Sequence, residues 1–368
     1  MPKTIKNAFD NSLTFDKILA AHYRAKKNKT FKYEVINFEL NLENNLINLL
    51  NNIKNNTYKV GKYRSFIIYE PKERIIQALP YKDRIVHQWY IEEFIKPYIV
   101  PKFIFSSYAC LTDKGTHKAV DYIQKQMRIF QRSYPDYWIL KCDIKKFFYN
   151  IDKNILFSIM KKYISDKKLL DFTKLLIFSC SDSNSTIGIP IGNYTSQFFA
   201  NIYLNELDQY IKRTLHLKYY VRYMDDFIIL LENKLDCKRY KQIIEEFLAQ
   251  HLHLTLNDKS RYYPSKMGVN FCGYRIFSTH RLLRTSSKKK IKRKIKNWNN
   301  LYKNGNLNFQ KVLPRLNSWL GHSSHCNSYN LQQKILNKCD FLVNKSYYQE
   351  EYKKFFESIE NFKRDSLL

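Results

Sequence analysis

Glycine is scarce in this chain, with 8 in 368 residues. Two of them, Gly188 and Gly192, flank Pro190 in the stretch GIPIGNYTSQ. A glycine is kept where backbone must turn sharply or pass close to a partner, so this stretch is a candidate for both. Long apolar runs are also missing. The run from Phe227 to Leu231 is among the longest, far short of the roughly 20 residues that cross a bilayer, so no membrane partner is expected. The first residues, MPKTIKNAFDNSL, have no apolar signal core. The seven cysteines (110, 142, 180, 237, 272, 326, 339) are scattered and form no CxxC pair. That pattern excludes a disulfide scaffold and a cysteine zinc site, and fits free thiols in a reducing cytoplasm. The nine histidines include no HExxH. Acid is in short supply: 33 Asp and Glu face 63 Lys and Arg, a formal charge of +30.

What is present points to a folded protein that meets a polyanion. A hydrophobic fraction of 44% with 16% aromatics is enough for a sizeable core and two or three subdomains. The charge fits nucleic acid or an acidic membrane surface; the plainer reading is a solvated basic surface. Residues 1 to about 60 read as helical, with Phe38, Leu42, Leu46, Leu49 and Leu50 at helical spacing. Residues 63–80 read as two short strands around a turn at Glu70-Pro71-Lys72-Glu73, and 82–99 as a helix. Residues 137–148 alternate: Trp138, Leu140, Cys142 and Ile144 face one way, Lys141, Asp143 and Lys145 the other. A helix is expected over 198–215, a hairpin over 218–232, a helix over about 238–250, and strands at 252–256 and 270–277. From 283 onward the chain reads as helical, with Ser286 or Ser287 as N-cap and seven basic residues among 288–296.

Three aspartates stand out. Asp143 lies on the polar face of an apolar strand, and Asp225 and Asp226 lie side by side at the hairpin tip. Any one of them could be a structural ion pair. Together they are the parts of a site for two hard cations such as Mg²⁺, which at about 3.5–4 Å apart can activate a hydroxyl and stabilise a leaving phosphate.

The surrounding sequence makes this specific. LKCDIKKFF, GIPIGNYTSQ and YYVRYMDD occur in the order of the palm motifs of reverse transcriptases, with 82 residues from Asp143 to Asp225. EPKERIIQALPYKDRIVHQWY and SSYACLTDKGTHKAV resemble the fingers segments of the bacterial enzymes related to group II introns. The resemblance covers roughly residues 30–280, and the basic segment beyond more loosely. It implies an α+β right-hand polymerase fold. Residues 1–60 would be an N-terminal helical extension of the fingers, 61–136 the fingers, and 137–282 a palm of antiparallel sheet and packed helices, with fingers helices interleaved at about 155–185. Residues 283–368 would be a basic α-helical thumb.

Most relatives carry QGxxxSP where this chain has Ile191-Gly192 and Ser196-Gln197. The pattern [I/V/L]GxxxSQ resembles the reverse transcriptases of diversity-generating retroelements. That resemblance implies copying of a template-repeat RNA into cDNA with errors at template adenines, for mutagenic retrohoming into a variable repeat. It also implies a small basic accessory protein, able to oligomerise, and a bacterial, archaeal or phage source. The LTD before Lys114 departs from the family's basic residues there. The alternative is a retron, antiphage or group II intron type enzyme without programmed mutagenesis. No endonuclease extension and no RNase H domain is recognised after the thumb, which disfavours a full intron mobility protein. A non-enzymatic RNA chaperone is disfavoured by the intact acids.

The resemblance also assigns roles. Asp143 and Asp225 would bridge two Mg²⁺ ions, which Mn²⁺ can replace, with Asp226 assisting or holding the hairpin and the Ile144 carbonyl completing the shell. Lys72 and Arg74 would contact the dNTP triphosphate, with salt bridges to Glu70 or Glu73 as the plainer reading. Arg84 reads as a structural partner of an acid. Lys259 would assist pyrophosphate departure. Phe148 would stack under the incoming sugar and exclude a 2′-hydroxyl, which disfavours an RNA-dependent RNA polymerase, while Phe147 packs in the core. Ile191, Gly192 and Gln197 would line the nucleotide site. Lys288, Lys289, Lys290, Lys292, Arg293, Lys294 and Lys296 would meet the phosphates of the template RNA and cDNA.

Overall fold

This computed structural model describes residues 4–69, 73–179, 185–342 and 350. The chain forms two compact units. One comprises Met1–Ala119 with Leu140–Tyr262, the other Val120–Ile139 with Tyr263–Leu368.

The first unit opens with helices Phe9–Ser12, Phe15–Lys26, Tyr33–Glu39 and Leu42–Lys54. Ile18, Ala21, His22 and Ala25 form the buried stripe of the second, and Leu46, Leu49 and Ile53 that of the fourth, as 3.6-residue periodicity dictates. An antiparallel pair follows: β1 (Arg64–Ile68) and β2 (Arg74–Ala78), in register from Arg64↔Ala78 to Ile68↔Arg74. Helix Tyr81–Tyr90 continues as a π-turn over Ile91–Ile95. It buries Trp89 completely, with the rings of Phe9, Phe94 and Phe172 at 5.7, 5.2 and 5.6 Å. The Trp89 indole N–H donates to the Ser12 carbonyl at 2.7 Å, so the N-terminal helices are pinned to this core.

The central sheet is built from β3 (Trp138–Asp143), β4 (Tyr220–Tyr223), β5 (Asp226–Leu231) and β6 (Arg261–Pro264), in the order β4-β5-β3-β6. β5 is fully buried after its first residue. Helix Tyr194–Gln209, buried on nearly every side, continues as a π-turn over Tyr210–Thr214, and helix Lys234–Leu252 follows β5.

Three expectations need correction here. The helix expected over 198–215 begins four residues earlier, because Asn193 takes extended backbone at the N-cap position. The segment 252–256 is not a strand. His253 ends the preceding helix in the left-handed region (φ +48°), its N–H bonded to the Leu248 carbonyl, and only Leu256 forms an isolated bridge, to Ile144. The helix expected to be N-capped by Ser286 or Ser287 starts at Thr285, with Arg284 at the N-cap and no side-chain cap.

In the second unit, β7 (Val269–Phe271), β8 (Tyr274–Ile276) and β9 (Arg281–Leu283) form an antiparallel meander. Gln124 and Arg128 donate to the Phe277 and Ser278 carbonyls, and Arg281 pairs with Asp121. Helices Thr285–Lys303, Phe309–Ser324 and Tyr329–Leu336 close around Ile291, Ile295, Trp298, Leu316, Leu320 and Phe341. Among the described residues, no helix is long and apolar enough to cross a membrane, and the six described cysteines are free.

Candidate active site

The site is built on the ends of β3 and β5, which are neighbours in the sheet. Tyr223 pairs with Asp226, so Met224 and Asp225 form a two-residue hairpin turn. Met224 sits at φ +56°, a conformation that glycine normally occupies in such turns. The strain is held by Arg222, whose Nη1 donates to the Met224 carbonyl at 2.9 Å. Arg222 is fully buried and forks onto Asp208 of helix Tyr194–Gln209, Nε to Oδ1 at 2.8 Å and Nη2 to Oδ2 at 2.5 Å. Tyr220 donates to the same Asp208 Oδ1 at 2.6 Å, and Arg222 reaches Asn201 Oδ1 at 3.0 Å. The backbone of Arg222 is bracketed by Ser106 and Tyr108, at 3.0 Å each.

Asp226 opens β5 with its Oδ2 on Lys141 Nζ at 3.0 Å. Its Oδ1 is buried without a hydrogen-bond partner. Burial pushes the Asp226 carboxyl up to about 6; Lys141 opposes the rise, and the Asp143 and Asp225 carboxylates add to it. The three acids therefore share one electrostatic neighbourhood. A buried carboxylate oxygen with no donor, beside two half-buried carboxylates, is the hard-oxygen chemistry that a divalent cation fits. Among the described residues, no three acidic, histidine or cysteine side chains are already drawn together as a metal cluster. The Asp143 backbone is fixed on the other side: its N–H meets Ser260 Oγ at 3.1 Å, and its carbonyl accepts from Asn257 N at 2.7 Å. In the Ile144↔Leu256 bridge the bonds run from Lys145 N to Thr255 O and from Asn257 N to Asp143 O. This pairing turns the Ile144 carbonyl away from that segment.

Other candidates fall into place around these acids. Phe147 is buried and Phe148 only half-buried, in a helical turn entered through Lys146 at φ +47°. Lys259 is exposed, beside the Lys145–Asp258 pair at 3.7 Å. Arg74 is exposed at the start of β2 and makes no salt bridge among the described residues, while Lys72 lies outside them. Arg84 forks onto Glu34, with Nη1 to Oε1 at 2.7 Å, a structural pairing. Gln197 is half-buried in the first turn of its helix.

Gly192 has φ +121°, and a Cβ there would stand 2.9 Å from Ile76 Cγ2 and 3.3 Å from the Gln77 carbonyl. The chain's own strand β2 thus demands this glycine, with Gln77 N donating to the Ile191 carbonyl at 2.9 Å. In the second unit, all seven basic candidates lie on helix Thr285–Lys303. Lys289, Lys292, Arg293 and Lys296 are exposed, and Lys288, Lys290 and Lys294 half-buried, around the buried Ile291, Ile295 and Trp298.

Sequence reasoning missed Arg222, Asp208 and Lys141. The signal was there: an arginine between the apolar positions of YYVRYMDD, and an aspartate inside an otherwise buried helix, are expensive unless they meet.

The family model for reverse transcriptase (RNA-dependent DNA polymerase) matches residues 54–276. The COX1/OXI3 intron 2 protein of Saccharomyces cerevisiae is 28% identical over an alignment of 199 residues, covering 37% of this chain and 23% of that protein. The COX1/OXI3 intron 1 protein of the same yeast is 25% identical over 202, covering 39% and 24%. The chain thus spans about a quarter of the length of these relatives. Among solved structures, telomerase from Candida albicans with a fragment of telomeric RNA aligns at TM-score 0.48 and 10% identity, over 82% of this chain and 67% of that one. Telomerase from Candida tropicalis, truncated from its C-terminal domain, aligns at 0.46 and 13%, over 64% and 59%. With the family model spanning more than half of its length, and with helices packed around antiparallel sheets, this chain belongs to the reverse transcriptase family and has the right-hand α+β polymerase fold.

Proposed function

We propose that the chain is an RNA-directed DNA polymerase that copies a template-repeat RNA into cDNA, with errors at template adenines. The observation that carries the polymerase reading is the placement of Asp143 at the end of β3, beside the strand β5 that Asp226 opens and whose turn carries Asp225, with one buried carboxylate oxygen of Asp226 lacking a donor. Asp143 and Asp225, with the Ile144 carbonyl, would hold two Mg²⁺ ions, and Lys141 keeps Asp226 as the support of the hairpin. When bound, the ions would supply the charge that activates a primer 3′-hydroxyl and stabilises departing pyrophosphate. The protein's own share is placement. Arg74 and Lys72 would take the triphosphate, Phe148 would close the space under the sugar, and Lys259 would lie near the leaving group. The basic face of helix Thr285–Lys303 would follow the duplex phosphates. In this reading residues 1–60 and 61–136 serve as fingers, 137–282 as palm and 283–368 as thumb, with a small basic accessory protein as partner.

The mutagenic subtype is supported by Ile191 and Gln197. Isoleucine cannot make the hydrogen bond that a glutamine there would offer near the nascent pair, and apolar contacts discriminate less than polar groups that must be satisfied. A second reading, a group II intron type enzyme without programmed mutagenesis, is favoured by the two yeast relatives named as intron proteins. Sequencing of cDNA made on a defined RNA template separates the two. The mutagenic reading expects errors concentrated at template adenines and reduced in Ile191→Gln; an even, low error spectrum favours the intron-type enzyme.

A further inference from the structure

The segment from Ile191 to Thr195 is not held by the palm alone. Each of its residues meets the stretch between Tyr63 and Glu92. The Ile191 carbonyl accepts from Gln77 N at 2.9 Å, and Gly192 lies against Ile76. Asn193 Nδ2 donates to the Tyr63 hydroxyl at 3.1 Å; this hydroxyl lies 3.4 Å from Ser179 Oγ. The Tyr194 hydroxyl donates to Glu92 Oε1 at 3.1 Å, and the same oxygen holds Lys96 at 2.6 Å. Thr195 Oγ1 and His87 Nδ1 are 3.1 Å apart, both buried. Asn193 stands at the N-cap position yet makes no side-chain cap bond. A cap would need its Oδ1 as acceptor; the side chain is oriented instead by the bond from its Nδ2 to Tyr63. Five consecutive residues tied to one neighbouring layer form a coupling, because a shift of that layer must carry the loop with it.

We propose that Tyr63, His87 and Glu92 are positioning residues that set the geometry of Ile191–Gly192 through Asn193, Thr195 and Tyr194, and thereby the choice of incoming dNTP. The inference rests on the polymerase reading above and deepens it. Selectivity on this account is not a property of the residue at 191 alone. It belongs to the loop together with the β1–β2 pair and helix Tyr81–Tyr90, so a substitution that touches no substrate alters which nucleotide is accepted.

Thr195→Val deletes the contact to His87, and Tyr63→Phe deletes the hydroxyl that meets Asn193 and Ser179, each at nearly constant volume. Thr173→Val is the control. It breaks the buried Thr173–Tyr90 contact of 2.8 Å, which is anchored on the same helix but does not reach the loop. Single-nucleotide insertion is measured with the full chain on an RNA template and DNA primer, for the correct dNTP and each mismatched one. Thr195→Val is expected to raise KM for the correct dNTP with kcat changed less than about twofold, and to raise the ratio of wrong to right insertion about fivefold, the size expected from one lost hydrogen bond. Thr195→Ser restores the ratio, and Thr173→Val lowers Tm without moving it. An unmoved ratio in Thr195→Val, or an equal change in Thr173→Val, overturns the proposal. If Thr195→Val does not fold, the half-buried Tyr63→Phe decides by the same ratio. Failure of the unaltered chain to insert any nucleotide on RNA would overturn the polymerase reading itself, and this inference with it.

Discussion

Arg222 grips Asp208 through two hydrogen bonds of 2.8 and 2.5 Å, with neither side chain exposed to solvent. The pair does more than neutralise itself, because the same guanidinium holds the Met224 carbonyl and so the turn that carries Asp225. Breaking a buried pair leaves one charge without compensation, at a cost of about 3–5 kcal/mol. Asp208→Asn and Arg222→Met should therefore each lower the unfolding free energy measured in urea by an amount of that order. The double substitution Arg222→Met with Asp208→Leu should recover part of the stability but not the polymerase activity, since Met224 still lacks its donor. Full activity in the double variant would show that the turn does not need Arg222.

Phe147 and Phe148 are neighbours with opposite environments, one buried and one half-buried. Phe147→Ala should cost about 3–4 kcal/mol in equilibrium unfolding, as a core cavity does. Phe148→Ala should cost much less and should raise rNTP insertion relative to dNTP by tenfold or more. Unchanged sugar discrimination in Phe148→Ala would remove its role at the sugar.

His87 is fully buried, and burial pushes its pKa down to about 3, with no other cause at work. The unfolded chain takes up a proton near pH 6.5, while the folded chain does not until about pH 3. The stability contribution is therefore present above pH 6.5 and is lost as pH falls, by about 2 kcal/mol at pH 5. His22, also lowered by burial, adds in the same direction. Urea unfolding at pH 7.5 and pH 5 should show this loss, and His87→Gln should reduce it. A slope that is unchanged in the variant would place the acid sensitivity elsewhere.

Much of the central sheet and of the turns beside it was legible because their signals are local. Alternation in WILKCD, two apolar runs around MDD, and glycines flanking a proline are read within a dozen residues. The elements that failed depend on distant partners. Leu254 and Leu256 alternate like a strand, but His253 turns the chain and only one bridge forms. Asn193 is a good N-cap residue, yet its side chain is taken by Tyr63. Gly192 was read as room for a nucleotide, and in the fold it first makes room for Ile76 and Gln77. The Arg222–Asp208 pair joins two motifs read separately, and no periodicity shows which buried charge meets which.

Asp143 and Asp225 are proposed as the acids of a nucleotidyl transfer site, and Asp225 is the better one to replace because it sits on the turn rather than in the core. Primer extension on an RNA template with dNTPs and Mg²⁺ should fall at least a thousandfold in Asp225→Asn, while Tm and binding of the RNA–primer duplex stay at the level of the unaltered chain. Extension by Asp225→Asn within tenfold of the unaltered chain would contradict the account.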